Sequence, residues 1–429
     1  MSQAGFDADP LCASLRLMQK RQMLKSLVAV LVLLPAFAAP SFAHKWNETE
    51  FANRPLVDYP LPGARDEVFG SLTMYTLQPG DTLLDVGRWY GLSAKEVSDA
   101  NNHMDWWSPP PGKEIVLPTA HILPEGPRVG VVLNIPEMRL YYFYPSPTAA
   151  RHRGKSKKVL FSRRAPSVVY TFPVGLGRFD WKTPVSVWRV VAKTRNPTWV
   201  VPNDIYEEHL ERDGEADHVI PGGAPDNPLG HYRLSLSLPE YALHGTDVPW
   251  GVGMNVSHGC VRLYPEDIER LYSRVGIGTP GRFVYQPIKF GWRGNALYVE
   301  VHDDLYAKYP GLWNHAVREV KRLGLEDQVD LGKLQKAVEL RSGIPTYVMP
   351  GAAGGLETAN LLTAPSAVAV RPSAVEAPAP SGVPGADTIP ARTTVSHEPM
   401  SSATSPSDKK DDSATVLPSR IVNDDGDVE

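Results

Sequence analysis

Two short segments hold the residues best suited to covalent chemistry: His244-Gly245-Thr246 and Ser257-His258-Gly259-Cys260-Val261-Arg262. Pro249, Gly251 and Gly253 lie between His244 and Cys260, which predicts a loop that can return and set an imidazole beside a thiol. A thiol with an ordinary pKa of about 8.5 is only a few per cent thiolate at neutral pH. An imidazole within reach takes its proton and later hands one to a leaving amine. Gly259, next to the sulfur, lets backbone amides approach a developing oxyanion. Ser257 and Arg262 either fix polar groups of a substrate or hold the loop. A metal site built from His231, His244, His258 and Cys260 would lack the paired spacing that zinc sites use, so neither metal nor cofactor is expected.

Cysteine is scarce. The chain has two, Cys12 and Cys260, which excludes a disulfide framework and a cysteine-rich zinc module and leaves room for one bridge at most. The N-terminus bears on that bridge. Arg16, Lys20, Arg21 and Lys25 precede an apolar run from Leu27 to Ala39, and Ser41-Phe42-Ala43 is a small-x-small cleavage site before His44. Basic region, short apolar core and small-residue exit predict a secretory signal peptide over 1–43. The run is too short to favour a spanning helix, and an uncleaved anchor is the alternative. Met18 or Met23 would begin a tidier leader. Cleavage removes Cys12 and leaves Cys260 as the single thiol in an oxidising compartment, the periplasm; a membrane is then met only through the leader before cleavage.

The 429 residues are 42% hydrophobic and 21% charged, an ordinary globular balance with length for two or three domains. A net charge of −4 provides no strong field for nucleic acid. The 41 prolines are about twice normal usage. Many fall after residue 350, where Ala, Pro, Ser and Thr dominate; 350–429 is predicted to be a disordered tail.

Four parts precede that tail. Residues 44–70 read as a polar lead-in linker. Residues 71–120 read as a compact unit: a strand at Tyr75–Leu77, a helix capped by Thr82 and stopped by Gly91, a second helix opened by the Ser93/Glu96 capping box, and a strand at Glu114–Leu117. Residues 125–290 read as mainly β. Val129–Ile135 and Arg139–Tyr144 form a hairpin about Asn134-Ile-Pro-Glu, followed by β-branched runs Val168–Val174 and Val185–Ala192. Within this block, 151–164 is strongly basic, either a solvated hairpin tip or a face for anionic polymers. Residues 291–349 read as a small appended region with a strand at Ala296–Val301 and helices near Leu312–Leu323 and Leu331–Arg341.

Two families are resembled. Tyr75-Thr-Leu-Gln-Pro-Gly-Asp-Thr-Leu, Tyr90-Gly-Leu-Ser, Asn101 and Pro111-Gly-Lys-Glu-Ile-Val-Leu-Pro118 resemble the LysM module, which binds peptidoglycan and chitin glycan. Trp106 and Trp107 depart from its usual loop, and either stack on sugar rings or pack on the neighbouring domain. Ser257-His-Gly-Cys-Val-Arg262, with His244-Gly-Thr upstream, resembles the catalytic signature of the L,D-transpeptidase (YkuD) family. Pro225-Asp-Asn-Pro-Leu-Gly230, Phe179-Asp-Trp-Lys-Thr-Pro184 and the Val256–Asp267 block support it. The chain is similar to the ErfK/YbiS-like subgroup of Gram-negative bacteria, in which a LysM unit precedes the catalytic domain.

The resemblance implies a YkuD-like β-sandwich with short helices. It implies Cys260 as nucleophile, His244 as base and acid, the Gly245 carbonyl as the group orienting His244, the amides of His258, Gly259 and Cys260 as an oxyanion site with Ser257 as an orienting group, and Thr246 as a substrate-binding residue beside Arg262. Arg262 meets a stem-peptide carboxylate or makes a structural salt bridge. The implied reaction joins peptidoglycan stem peptides through a thioester, with release of D-Ala. The acceptor is a second stem or a lysine of an outer-membrane lipoprotein. Alternatives using the same thiol are an L,D-carboxypeptidase and a lipoprotein–peptidoglycan hydrolase; a non-catalytic wall-binding protein is the third class. A thiolate–imidazolium pair and a bell-shaped pH profile are expected.

Overall fold

The computed structural model describes residues 46–63, 66–145 and 166–351. The predicted leader with Cys12, the basic 151–164 segment and the tail from 352 lie outside the described residues. Among the described residues no helix is long and apolar enough to cross a membrane.

The central element is a nine-stranded mixed sheet. Its strands in chain order are β1 (Tyr59–Pro60), β2 (Gly130–Asn134), β3 (Arg139–Pro145), β4 (Pro166–Pro173), β5 (Ser186–Arg195), β6 (Tyr232–Leu236), β7 (Ala242–His244), β8 (Val261–Arg262) and β9 (Pro280–Val284). They lie in the order β1-β4-β3-β2-β9-β5-β6-β7-β8. The turn between β2 and β3 places Met138 at φ 52°, as a tight hairpin requires.

Strand β5 makes the sheet into two halves. Its first residues, Ser186–Arg189, pair with β9; after an irregularity between Val190 and Ala192, the rest pairs with β6. Val131 and Leu133 from one half and Leu234, Leu243 and Val261 from the other then share one core. This is a mainly β block, as the alternating β-branched runs predict. Strand β8 carries the residues just after Cys260 and pairs in parallel with β7, which ends at His244.

Local expectations in the 71–120 unit hold closely. Thr82 accepts the amide hydrogen bond of Asp85 at the start of a helix over Leu83–Trp89, and Ser93 and Glu96 make a complete capping box before Ala94–Ala100. The first strand begins earlier than expected, Thr73–Thr76, and pairs antiparallel with Glu114–Leu117. The unit is fastened to the sheet by the fully buried Arg139, which donates to Glu96 at 2.7 Å and to the Gly91 carbonyl at 3.1 Å.

The lead-in is more than a linker. It contains a helix at Glu48–Asn53, contributes β1 to the sheet edge, and pairs Val68–Gly70 with Ala120–Ile122. Buried Arg54 and Arg88 both reach Glu266, and Arg54 reaches Asp267 at 2.5 Å. Glu266 and Asp267 open the helix Pro265–Arg274, which follows the cysteine loop directly. Hydrophobicity alone does not register such a tie, because its partners are some two hundred positions apart.

The appended region begins earlier than 291. A strand at Ile288–Arg293 pairs with Ala296–Val301, which pairs with Thr346–Tyr347, under helices Leu312–Leu323 and Leu331–Leu340. Its junction with the sheet is a buried charge network. Lys289 lies 2.8 Å from Glu137 and 2.9 Å from Glu300, and Glu300 lies 2.8 Å from His302. Burial alone would raise the Glu137 carboxyl, but Lys289 and the neighbouring histidines hold it below the usual carboxylate range. His121, Glu137 and Glu300 converge closely enough to suggest a cation site, and the Lys289 ammonium already supplies that charge. Lys289→Met leaves two buried carboxylates facing each other. The expected loss is about 3–5 kcal/mol, read as a fall of roughly 10 °C in melting temperature.

Candidate active site

The reacting groups share one face of the sheet end. Along β6, β7 and β8, Leu234, Leu243 and Val261 point into the core. Strand alternation puts Arg233, His244 and Arg262 on the opposite face, with Cys260 two residues before Arg262. The parallel register pairs His244 with Arg262, so the imidazole stands beside the strand that carries the thiol.

His244 is buried, and its Nδ1 lies 2.7 Å from the Gly245 carbonyl oxygen. A carbonyl only accepts, so Nδ1 carries the hydrogen and Nε2 is left as the basic nitrogen. Burial, then the Arg262 charge, pushes the imidazole pKa down to about 3. Cys260 is half-buried, and burial pushes its thiol up. Its Sγ donates to the Glu240 carbonyl at 3.4 Å. Burial thus acts against both charged forms of the expected thiolate–imidazolium pair, and the thiol meets a backbone carbonyl.

The loop around the sulfur is held from several sides. Ser257 is buried and donates to the Cys260 carbonyl at 2.5 Å. Gly259 sits at φ 103°, where an L side chain is strained, and its carbonyl accepts from Thr183 at 3.3 Å. A Cβ on Gly177 would come within 2.0 Å of the Trp181 carbonyl, so glycine is required for the two loops to meet. Thr246 is buried and accepts the Val248 amide at 2.9 Å, a turn contact.

His258 has an acidic and an aromatic partner. Its Nε2 lies 3.0 Å from Glu208, and Trp181 packs edge-on to its ring at 5.3 Å. Glu208 also receives two hydrogen bonds from Arg178, at 2.7 and 3.0 Å, and the Arg178 and His258 bonds hold its carboxyl down to about 2. Glu208 lies on a helix over Asn203–Asp213. Neither that helix nor Glu208 is apparent from the β-like patterning of the block; its chemistry appears only when the helix folds over the 258 loop. Glu208 is a positioning residue for His258. Glu208→Gln is expected to lower kcat about 10-fold with KM and melting temperature unchanged, measured by donor turnover and thermal melting.

Among the described residues Arg262 makes no salt bridge: its Nε is buried without a partner there, and Asp247, which acts on its titration, forms no ion pair with it. The histidines of the metal alternative are engaged elsewhere: His231 with Asn196 at 3.0 Å, His258 with Glu208 and His244 with Gly245. In the 71–120 unit, Trp106 packs on that unit's own core, whereas Trp107 is 60% exposed. Both line a cavity of about 460 Å³ with Lys95, Asp99, His103 and Asp303.

A thiol, an imidazole and two guanidinium groups are thus carried by neighbouring strands at one end of the sheet, a set of groups that suits acyl transfer of the cysteine type. Residues 128–284 match the YkuD family, the L,D-transpeptidase catalytic domain. The chain is 32% identical over 326 residues to the Escherichia coli K12 protein named probable L,D-transpeptidase YcfS, a span of 73% of this chain and 91% of that one. It is 32% identical over 300 residues to the E. coli probable L,D-transpeptidase YbiS, covering 67% and 91%. With the Salmonella typhimurium probable L,D-transpeptidase ErfK/SrfK it shares 30% over 308 residues, covering 70% and 93%. This chain belongs to the L,D-transpeptidase family.

Proposed function

We propose that the protein is a peptidoglycan L,D-transpeptidase in which Cys260 attacks the carbonyl of the third residue of a tetrapeptide stem. The observation that carries this reading is the register that sets His244, whose Nδ1 meets the Gly245 carbonyl, beside the strand that directly follows Cys260. On donor binding, the thiol rotates from the Glu240 carbonyl and gives its proton to Nε2. The sulfur forms a bond to the carbonyl carbon, and the amides of His258, Gly259 and Cys260 receive the oxyanion. Collapse breaks the C–N bond, and the imidazolium protonates the departing D-Ala amine. An amine acceptor then loses a proton to Nε2, attacks the thioester and releases the thiol. No step calls for a metal or organic cofactor.

The acceptor is the diaminopimelate amine of another stem or a lysine of an outer-membrane lipoprotein. The βααβ unit at 71–120 is read as a LysM module that holds glycan near the site, with exposed Trp107 as its stacking surface. The leader at 1–43 places the mature chain in the periplasm.

Purified protein incubated with sacculi, followed by muropeptide analysis, tests the reaction. Cross-links between third residues, or lipoprotein-bound stems, support transfer. Tripeptides alone assign the L,D-carboxypeptidase reaction instead. Intact mass after exposure to a carbapenem separates both from a wall-binding protein, which would carry no adduct.

A further inference from the structure

The geometry points to Tyr306 as a positioning residue for acyl transfer: acting through Thr183, it sets the direction of the Cys260 amide that receives the oxyanion. Tyr306 lies in the turn after the strand Ala296–Val301, in the appended region and outside the residues 128–284 that match the family. Its Oη accepts the Thr183 amide at 3.2 Å, and the Thr183 hydroxyl donates to the Gly259 carbonyl at 3.3 Å. Both residues are buried. Tyr306 is itself fixed. Its amide donates to Tyr285 Oη at 2.7 Å, and Tyr285 donates to Asp304 at 2.5 Å. The Asp304 carboxylate also accepts the amides of Lys308 at 3.0 Å and Tyr309 at 2.7 Å, and the Tyr285 and Tyr306 rings stack with centroids 5.8 Å apart.

A trans peptide group is planar, so its carbonyl and its N–H point in opposite directions. Holding the Gly259 carbonyl therefore holds the Cys260 N–H. Local sequence does not supply that hold, because Gly259 sits at φ 103° and glycine has the widest choice of backbone angles. The packing around it fixes where this peptide lies. A Cβ on Gly177 would come within 2.9 Å of the Gly259 Cα, and one on Gly259 within 3.3 Å of the Tyr241 ring, so neighbours close on the peptide from two sides. Such contacts limit translation, whereas a hydrogen bond is directional and limits rotation. The Thr183 bond thus sets which way the peptide faces, and Tyr306 sets Thr183. Among the described residues the Cys260 amide has no backbone acceptor, which leaves it open to a developing oxyanion. The site within the family-matched domain is in this way braced by a residue from outside it.

This inference rests on the proposed transpeptidase reading, and the experiment separates their failures. Two reactions of Cys260 are compared. Acylation by a tetrapeptide donor, read as D-Ala release, passes through an oxyanion; alkylation by iodoacetamide displaces iodide from a saturated carbon and forms none. In Tyr306→Phe and Thr183→Val the maximal single-turnover rate of D-Ala release is expected to fall about 10-fold, less than for outright loss of an oxyanion donor, while the alkylation rate stays at the wild-type value. Thr183→Ser keeps the hydroxyl and restores release. If Tyr306→Phe fails to fold, the two Thr183 variants decide. An unchanged release rate in Tyr306→Phe and Thr183→Val, a Thr183→Ser as slow as Thr183→Val, or acylation and alkylation falling together overturns the positioning role and leaves the transpeptidase reading standing. No release by wild-type protein that iodoacetamide still alkylates overturns that reading and this inference with it.

Discussion

Cys260→Ala is expected to lower donor turnover by about 10⁴-fold or more, with the melting temperature little changed. The reason is chemical rather than structural. Once the sulfur is gone, nothing among the described residues at this position can form the thioester, and only binding and oxyanion stabilisation remain. The side chain is half-buried, and the hydrogen bond it donates is a long thiol contact to the Glu240 carbonyl. Truncation therefore leaves no strong buried acceptor without its donor. Cys260→Ser keeps the shape and replaces the thiol by a hydroxyl of far higher pKa, and should be almost as inactive. D-Ala release by purified protein reads both variants.

His244→Gln is expected to lower kcat/KM by roughly 10²–10⁴-fold, the range for loss of a positioned general base. Its effect on pH dependence is more diagnostic. In the wild type, burial and Arg262 push the imidazole down to about 3, so it stays a neutral base through mildly acid pH. The acid limb of kcat/KM should therefore lie well below 6.5, the ordinary imidazole value. In the variant that limb disappears. Stability moves with the same proton. Between about pH 3 and 6.5 the unfolded chain binds a proton at this residue that the folded chain refuses, so stability falls as pH drops through that window. The slope from this residue is about 1.4 kcal/mol per pH unit, and His244→Gln removes it. Melting curves at pH 4, 5 and 6 on both proteins measure the difference.

Both predictions depend on residues that are legible as a motif. The Cys260 and His244 spacing, the hairpin at 134–137, the Thr82 cap and the Ser93/Glu96 box are local patterns, each set by neighbours a few positions away. Their geometry follows from backbone hydrogen bonding that the side chains announce. What is not legible depends on which strand lies beside which. Arg233 acquires its place in the site only because β6 pairs with β7 in the register that sets it opposite His244. Glu208 does so only because its helix comes down on the 258 loop. The buried network of Lys289, Glu137 and Glu300 is likewise assembled from segments more than a hundred positions apart. In sequence each is an ordinary surface charge. The electrostatics of the thiol and imidazole are hidden for a related reason: spacing says that the two groups can meet, whereas burial, which acts against both charged forms, depends on the fold.

The central claim is that Cys260 carries the acyl group. Wild-type protein mixed with a tetrapeptide donor in the absence of an amine acceptor, quenched in acid and analysed by intact mass and peptide mapping, tests it most directly. The predicted result is a mass increase equal to the donor less D-Ala, confined to the peptide that contains Cys260. Release of D-Ala with the adduct on another residue, or with no adduct at any quench time, would contradict the account.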